Sequence, residues 1–342
     1  MYKIFFVFGL SALLITGSFH NAGAAEKTML TGVQDTLTSK ALIGRWDIAM
    51  DQDGKQVPSW LEVKLSGVST LVGSFVSESG SARPVAEVVF KGGQFSFSIP
   101  PQWEKGEQDL VFEGELAGAG IAGTIVTPEG KKYNWKGVKA PYLTNSSVSE
   151  WGKPINLFNG KDLTGWKAAG KNQWIVKDGI LTSSQSGANL ISDQKFKDFK
   201  LLAEFRYQKG SNSGLYLRGR YEVQIEDSPK DAHPASVLFS GVYGFLTPSE
   251  IAALGPNQWQ TYEITLTGRM VTIVVNGKTV ISNQEIPGIT GGALDSNEGE
   301  PGTPMLFRPA MKNSDKRLFK TPLPSTATAA SAPFAIPSSL KY

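Results

Sequence analysis

Between Gly44 and Ala140 apolar and polar residues alternate in short runs. Trp60 to Leu65 alternates as Trp-Leu-Glu-Val-Lys-Leu, which marks a strand, and Val85 to Phe90, Gln94 to Ile99, Leu110 to Leu116 and Ile121 to Thr127 are further strand candidates. Asp53-Gly54, Gly92-Gly93 and Glu129-Gly130 separate these runs with residues that accept the positive φ of tight turns. About eight short strands in about 95 residues predict a small antiparallel β-barrel or sandwich over residues 42–140. No convergent catalytic set stands out within it.

Pro141 to Pro154 has the Pro, Asn and Ser content of a linker. Beyond it the pattern is again strand-rich. Trp174 to Thr182 reads as a hairpin turning at Asp178-Gly179, and Met270 to Ile281 as one turning at Asn276-Gly277. One short helix is predicted, with Thr247 as N-cap, Pro248 in its first turn, Glu250 completing a capping box and Gly255 as the stop. Lys200 to Tyr207 reads as a strand with Leu201, Ala203, Phe205 and Tyr207 on one face and Glu204 and Arg206 on the other. Leu215 to Arg218 sends Tyr216 and Arg218 to one side. Tyr221 to Asp227 sends Glu222, Gln224 and Glu226 to one face, with Asp227 at the exit. If these three strands are neighbours, one sheet face carries Glu204, Arg206, Arg218, Glu222 and Gln224. Such a face can hold sugar hydroxyls, and a carboxylate on it can move a proton. The competing reading is a solvated face of cross-strand ion pairs.

Composition narrows the chemistry. The chain has 342 residues with 34 basic and 31 acidic side chains, a formal charge of +3, so it lacks the basic patch that nucleic acid demands. It has no cysteine and two histidines, His20 and His233, and His20 lies in a leader. That excludes thiolate, disulfide, lipidated-cysteine and multi-histidine metal chemistry. Carboxylates, Tyr, Lys, Arg, one imidazole or an oxygen-bound cation remain. Lys3, the apolar run Ile4 to Thr16 and Ala22-Gly23-Ala24 predict a signal peptide over residues 1–24. A periplasmic or secreted protein, not a lipoprotein, with no membrane span after cleavage is expected.

Leu157-Phe158-Asn159-Gly160-Lys161-Asp162-Leu163-Thr164-Gly165-Trp166 resembles the opening of the 3-keto-disaccharide hydrolase domain. The likeness continues through Phe199-Lys200-Leu201, Glu204-Phe205-Arg206, Asn212 to Arg218, Tyr221 to Ile225 with Asp227, Gly241-Val242-Tyr243-Gly244, Trp259 to Ile264 and Val275-Asn276-Gly277. It does not cover the N-terminal unit. The resemblance implies an all-β fold with a concanavalin A-like jelly-roll β-sandwich over residues 155–306, binding sugar on its concave sheet. It also implies cleavage of glycosides oxidised at C3, by loss of the C2 proton, elimination at C1 and hydration. On this reading the catalytic candidates are Glu222, Glu204, Asp227 and His233. Arg206, Asn212, Tyr216, Arg218, Gln224 and Tyr243 are candidate substrate contacts. The partner is a small carbohydrate, and any cofactor is an oxygen-coordinated divalent cation stabilising the enolate. The rival reading is a non-catalytic glycan-binding jelly roll of an envelope protein.

Past Gly302 the family-like text breaks off in mid-motif. Residues 307–342, rich in Thr, Ser, Ala and Pro, read as a disordered tail that packs no strand. We expect a truncated jelly roll, and attribute the break to a reading-frame shift between Gly302 and Phe307.

Overall fold

The computed structural model describes residues 39–143, 151–183, 187–294, 296 and 298, and the backbone of residues 305–307, 317–320 and 326–327. The leader, the centre of the linker and most of the tail lie outside the described residues.

Nine strands build the N-terminal unit: β1 (Gly44–Gln52), β2 (Lys55–Ser66), β3 (Thr70–Val76), β4 (Arg83–Val85), β5 (Val89–Lys91), β6 (Gln94–Ile99), β7 (Leu110–Ala117), β8 (Gly120–Val126) and β9 (Lys132–Lys139). They form one antiparallel sheet in the order β4-β3-β2-β1-β9-β8-β7-β6-β5. The sheet curls until β4 lies against β6, which makes an open barrel. Its interior is the apolar half of the alternation, including Trp46, Ile48, Leu61, Phe75 and Phe112, with Trp135 stacked on Phe112 at 4.3 Å. The expected Asp-Gly and Gly-Gly turns form, with φ of 53° and 84° at Asp53 and Gly54 and of 60° and 84° at Gly92 and Gly93. Both pairs have the positive φ values of type I′ turns. The run from Val85 to Phe90 is not one strand. It breaks between β4 and β5, where the Val88 amide bonds the Leu71 carbonyl at 2.8 Å and the side chain is buried.

The second unit holds β10 (Ile155–Asn156), β11 (Trp166–Ala168), β12 (Trp174–Lys177), β13 (Ile180–Ser183), β14 (Leu190–Ser192), β15 (Phe199–Arg206), β16 (Asn212–Leu217), β17 (Tyr221–Glu226), β18 (Gln260–Thr267), β19 (Met270–Val275), β20 (Lys278–Glu285), β21 (Met305–Phe307), β22 (Arg317–Lys320) and β23 (Thr326–Ala327). Two sheets face each other, β11-β14-β21-β16-β17 and β12-β13-β22-β15-β18-β19-β20. Leu215, Tyr221, Val223 and Ile225 from the first pack with Phe205, Tyr262, Ile264 and Ile273 from the second in one core. The fold is an all-β sandwich, as expected. The opening motif is structural. The Asn159 side chain accepts the amides of Lys161 and Asp162, the Asp162 carboxylate accepts that of Thr164, and the Trp166 indole donates to the Leu157 carbonyl at 2.5 Å.

Two expectations are corrected. No helix forms after Thr247, because side-chain amides hold that segment open. The Leu254 amide bonds Gln260 Oε1 at 2.9 Å, and Asn276 Nδ2 bonds the Ala252 carbonyl at 2.9 Å, while Ile251 and Ala253 are buried in the core. Tertiary bonding outweighs a good cap on so short a helix. The tail, in turn, does supply strands. β22 pairs with both β13 and β15, and β23 pairs with β10. Ladder bonds come from the backbone, so a four-residue extended piece can fill a gap between strands whatever the composition around it.

The two units dock through a small apolar cluster and a charged network. Trp60, Val76 and Ile289 are buried together, with Phe245 edge-on to Trp60 at 5.4 Å. Arg220 meets Asp47 at 3.4 Å, the Glu298 amide donates to the Asp47 carboxylate at 3.3 Å, and Arg45 bonds Glu285; within the second unit Arg269 meets Glu298 at 3.2 Å. Burial pushes the Asp47 carboxyl up to about 6, a rise that Arg220 partly offsets.

Candidate active site

The site grows from the β16–β17 hairpin. Tyr216 stands opposite Glu222, Gly214 opposite Gln224 and Asn212 opposite Glu226. Tyr221, Val223 and Ile225 point into the core, so Glu222, Gln224 and Glu226 take the other face, as the alternation predicts. Tyr216 Oη lies 3.0 Å from Glu222 Oε2 and 2.5 Å from the Gly291 carbonyl oxygen. The Glu222 amide donates to Thr290 Oγ1 at 2.9 Å, and its carbonyl accepts the Tyr243 amide at 2.9 Å. Gly214 leaves the room that the carboxyl occupies: a Cβ there would stand 2.1 Å from Glu222 Oε1.

Glu222 is 5 % exposed. Burial raises its carboxyl to about 8, against a smaller lowering by the Tyr216 hydroxyl. Burial, and then the neighbouring Glu222, push the Tyr216 phenol well above its ordinary value. Tyr243, half-buried, is raised by burial and then by Glu222 and Glu226. Gln224 donates Nε2 to the Val237 carbonyl at 3.0 Å, while its buried Oε1 has no hydrogen-bond partner among the described residues. The face opens towards Glu226, half-buried, and Asn212, exposed.

Several expected members lie elsewhere. Glu204 and Arg206 are on β15 in the opposite sheet, on the face turned away from the core, and the Arg206 guanidinium lies over the Trp259 ring at 5.0 Å. Local alternation assigns faces correctly but does not say which strands are neighbours. Arg218 leaves the Glu222 face because its φ is 54°, which breaks the alternation at the turn. Its buried guanidinium instead donates to the Gly268 carbonyl at 2.8 Å and to the Tyr221 hydroxyl at 3.1 Å. Asp227 accepts the Gly210 amide at 2.7 Å and ties two loops. His233 is exposed on the loop after β17. Thr290 and Gly291 were not singled out in the sequence; Gly291-Gly292 was the available signal of a close backbone approach. Among the described residues no three His, Cys, Asp or Glu side chains are grouped to hold a metal ion. No helix among them is long and apolar enough to cross a membrane.

Residues 153–310 match the family described as the 3-keto-alpha-glucoside-1,2-lyase-like domain, which bears out the resemblance read from the sequence. A curated protein of Bacteroides thetaiotaomicron, named 3-keto-disaccharide hydrolase, is 35% identical over 86 residues, and the match spans 29% of that relative's length. A solved structure from Parabacteroides distasonis, provisionally described as a glycosyl hydrolase, shares 25% identity at a TM-score of 0.44, over 52% of this chain and 83% of that one. A second from the same organism shares 18% at a TM-score of 0.38, over 48% of this chain and 89% of that one.

Proposed function

We propose that the protein cleaves 3-keto-glycosides, with Glu222 as the base. The observation that carries this reading is the buried Glu222 carboxyl, raised to about 8 and held by Tyr216 on the polar face of a family-matched sandwich. A carboxylate whose conjugate acid sits that high is a much stronger base than an exposed one. A ketone at C3 acidifies the C2 proton. Glu222 takes that proton, the C1–O bond breaks with the electron pair leaving on oxygen, and the departing alkoxide is protonated. Water then adds across C1 and C2, so the net reaction is hydrolysis. We assign to the half-buried Tyr243 phenol, whose titration Glu222 influences, the donation of a hydrogen bond to the developing enolate oxygen or to the leaving group. The free acceptor of Gln224 suits a sugar hydroxyl. Substrate enters from the Glu226 and Asn212 end, where the face is open. We place the activity in the periplasm or outside the cell on the strength of the leader.

The test is release of monosaccharide from a 3-keto-disaccharide and from its unoxidised parent. Turnover of the keto sugar alone supports the reading. Binding of both without turnover replaces it with a glycan-binding module.

A further inference from the structure

The N-terminal barrel touches the second unit at the backbone that holds Tyr216. The loop between β3 and β4 presses on Gly291 so closely that a Cβ there would lie 2.3 Å from the Gly80 carbonyl oxygen. The Gly292 amide donates to the Glu78 carbonyl at 2.8 Å. A Cβ on Gly244, in the segment that carries Tyr243, would lie 2.7 Å from the Ala82 nitrogen. Beneath these contacts sits the Trp60, Val76 and Ile289 cluster. Gly291 in turn accepts the Tyr216 hydroxyl, and Thr290 accepts the Glu222 amide. Both segments that cover Glu222 are therefore backed by one loop of the other unit.

We infer that the barrel is a working part of the active site: its Glu78–Ala82 loop clamps Gly291 and Gly244, and so fixes Tyr216 and the depth at which Glu222 is buried. The loop residues act as positioning groups and do not touch substrate. This rests on the assignment of Glu222 as the base, but the clamp itself can be measured without turnover. Among the described residues the titratable groups facing Glu222 are Tyr216 from β16 and Tyr243 from the 241–246 segment; the 289–293 segment brings the Thr290 hydroxyl and backbone. A change in the titration of Glu222 thus reports chiefly on its burial and its bond to Tyr216.

The experiment uses the full chain. The carboxyl is titrated by infrared difference spectroscopy, with Glu222→Gln subtracted to assign the band, and the pH profile of 3-keto-disaccharide cleavage is recorded beside it. Gly291→Ala should force the loop away and move the Glu222 midpoint down by about one pH unit or more as water enters. Arg45→Gln breaks the Glu285 contact at another part of the interface. It should lower the melting temperature and leave the midpoint unchanged. If Gly291→Ala does not fold, Trp60→Phe, which thins the cluster under the clamp, should give a smaller downward shift. An unmoved midpoint in a folded clamp variant overturns the inference, as does an equal shift in Arg45→Gln. A shifted midpoint in a chain that cleaves no keto sugar upholds the clamp while removing the assigned reaction.

Discussion

Tyr216 and Glu222 face each other across a two-strand ladder, hydroxyl to carboxyl at 3.0 Å, with both side chains almost sealed from solvent. The phenol stabilises the charged form of the acid, and burial opposes it more strongly. The balance leaves a carboxyl that changes charge just above neutrality.

Glu222→Gln keeps the volume and removes the base, so turnover of a 3-keto-disaccharide should fall at least ~1,000-fold. The same variant should be relatively more stable than wild type at alkaline pH. In the native state Glu222 holds its proton to about 8, whereas the unfolded chain releases it near the ordinary carboxylate value. Between those values the folded state binds more protons, so wild-type stability falls as pH rises through this window. Melting curves at acid and alkaline pH, compared between the two proteins, check the sign.

The rate of cleavage should rise with pH along a limb centred near 8, the value to which Glu222 is raised. Removing the hydroxyl in Tyr216→Phe deletes the interaction that lowers this value, so the limb should move to higher pH. Activity at neutral pH should drop ~10-fold or more. A limb that stays in place would separate Tyr216 from the base.

Gly214→Ala places a methyl group where the Glu222 carboxyl now sits. The side chain must swing aside, so kcat should fall at least ~10-fold. Overpacking should cost about 1–3 kcal/mol of stability. Steady-state kinetics and urea unfolding measure the two effects separately.

Arg218→Lys should act on the fold and not on the substrate. The guanidinium is buried against the Gly268 carbonyl and the Tyr221 hydroxyl, and an ammonium cannot satisfy both in the same geometry. A loss of about 2–3 kcal/mol is expected, with KM unchanged at temperatures where the variant is folded. A raised KM with unaltered melting would return Arg218 to the substrate.

Much of this fold was legible because its signals are local. The Asp-Gly and Asn-Gly turns at Asp178 and Asn276 announce their hairpins, and the alternation Tyr221 to Glu226 sorts the core face from the polar face. Local signals mislead where a distant partner decides. Glu204 reads like Glu222, yet sheet order puts them on opposite sheets. Arg218 follows Tyr216 by two residues, yet its positive φ turns it to the other side. The Thr247 segment has a good cap, but Gln260 and Asn276 claim its backbone. Thr290 and Gly291 reach the site through bonds to Arg220, Glu222 and Tyr216, some seventy residues earlier in the chain, and nothing within that short segment encodes those partners.

The chain enters and leaves the nine-stranded sheet side by side, with β1 paired to β9 and the Ala140 amide bonded to the Arg45 carbonyl at 2.9 Å. Only fifteen residues, 140–154, then separate β9 from β10. So short a tether keeps the docking surfaces at an effective concentration on the order of millimolar. An interface with one small apolar cluster, a few ion pairs and a few backbone bonds is thereby helped to stay engaged within one chain, without the entropy cost of bringing two polypeptides together.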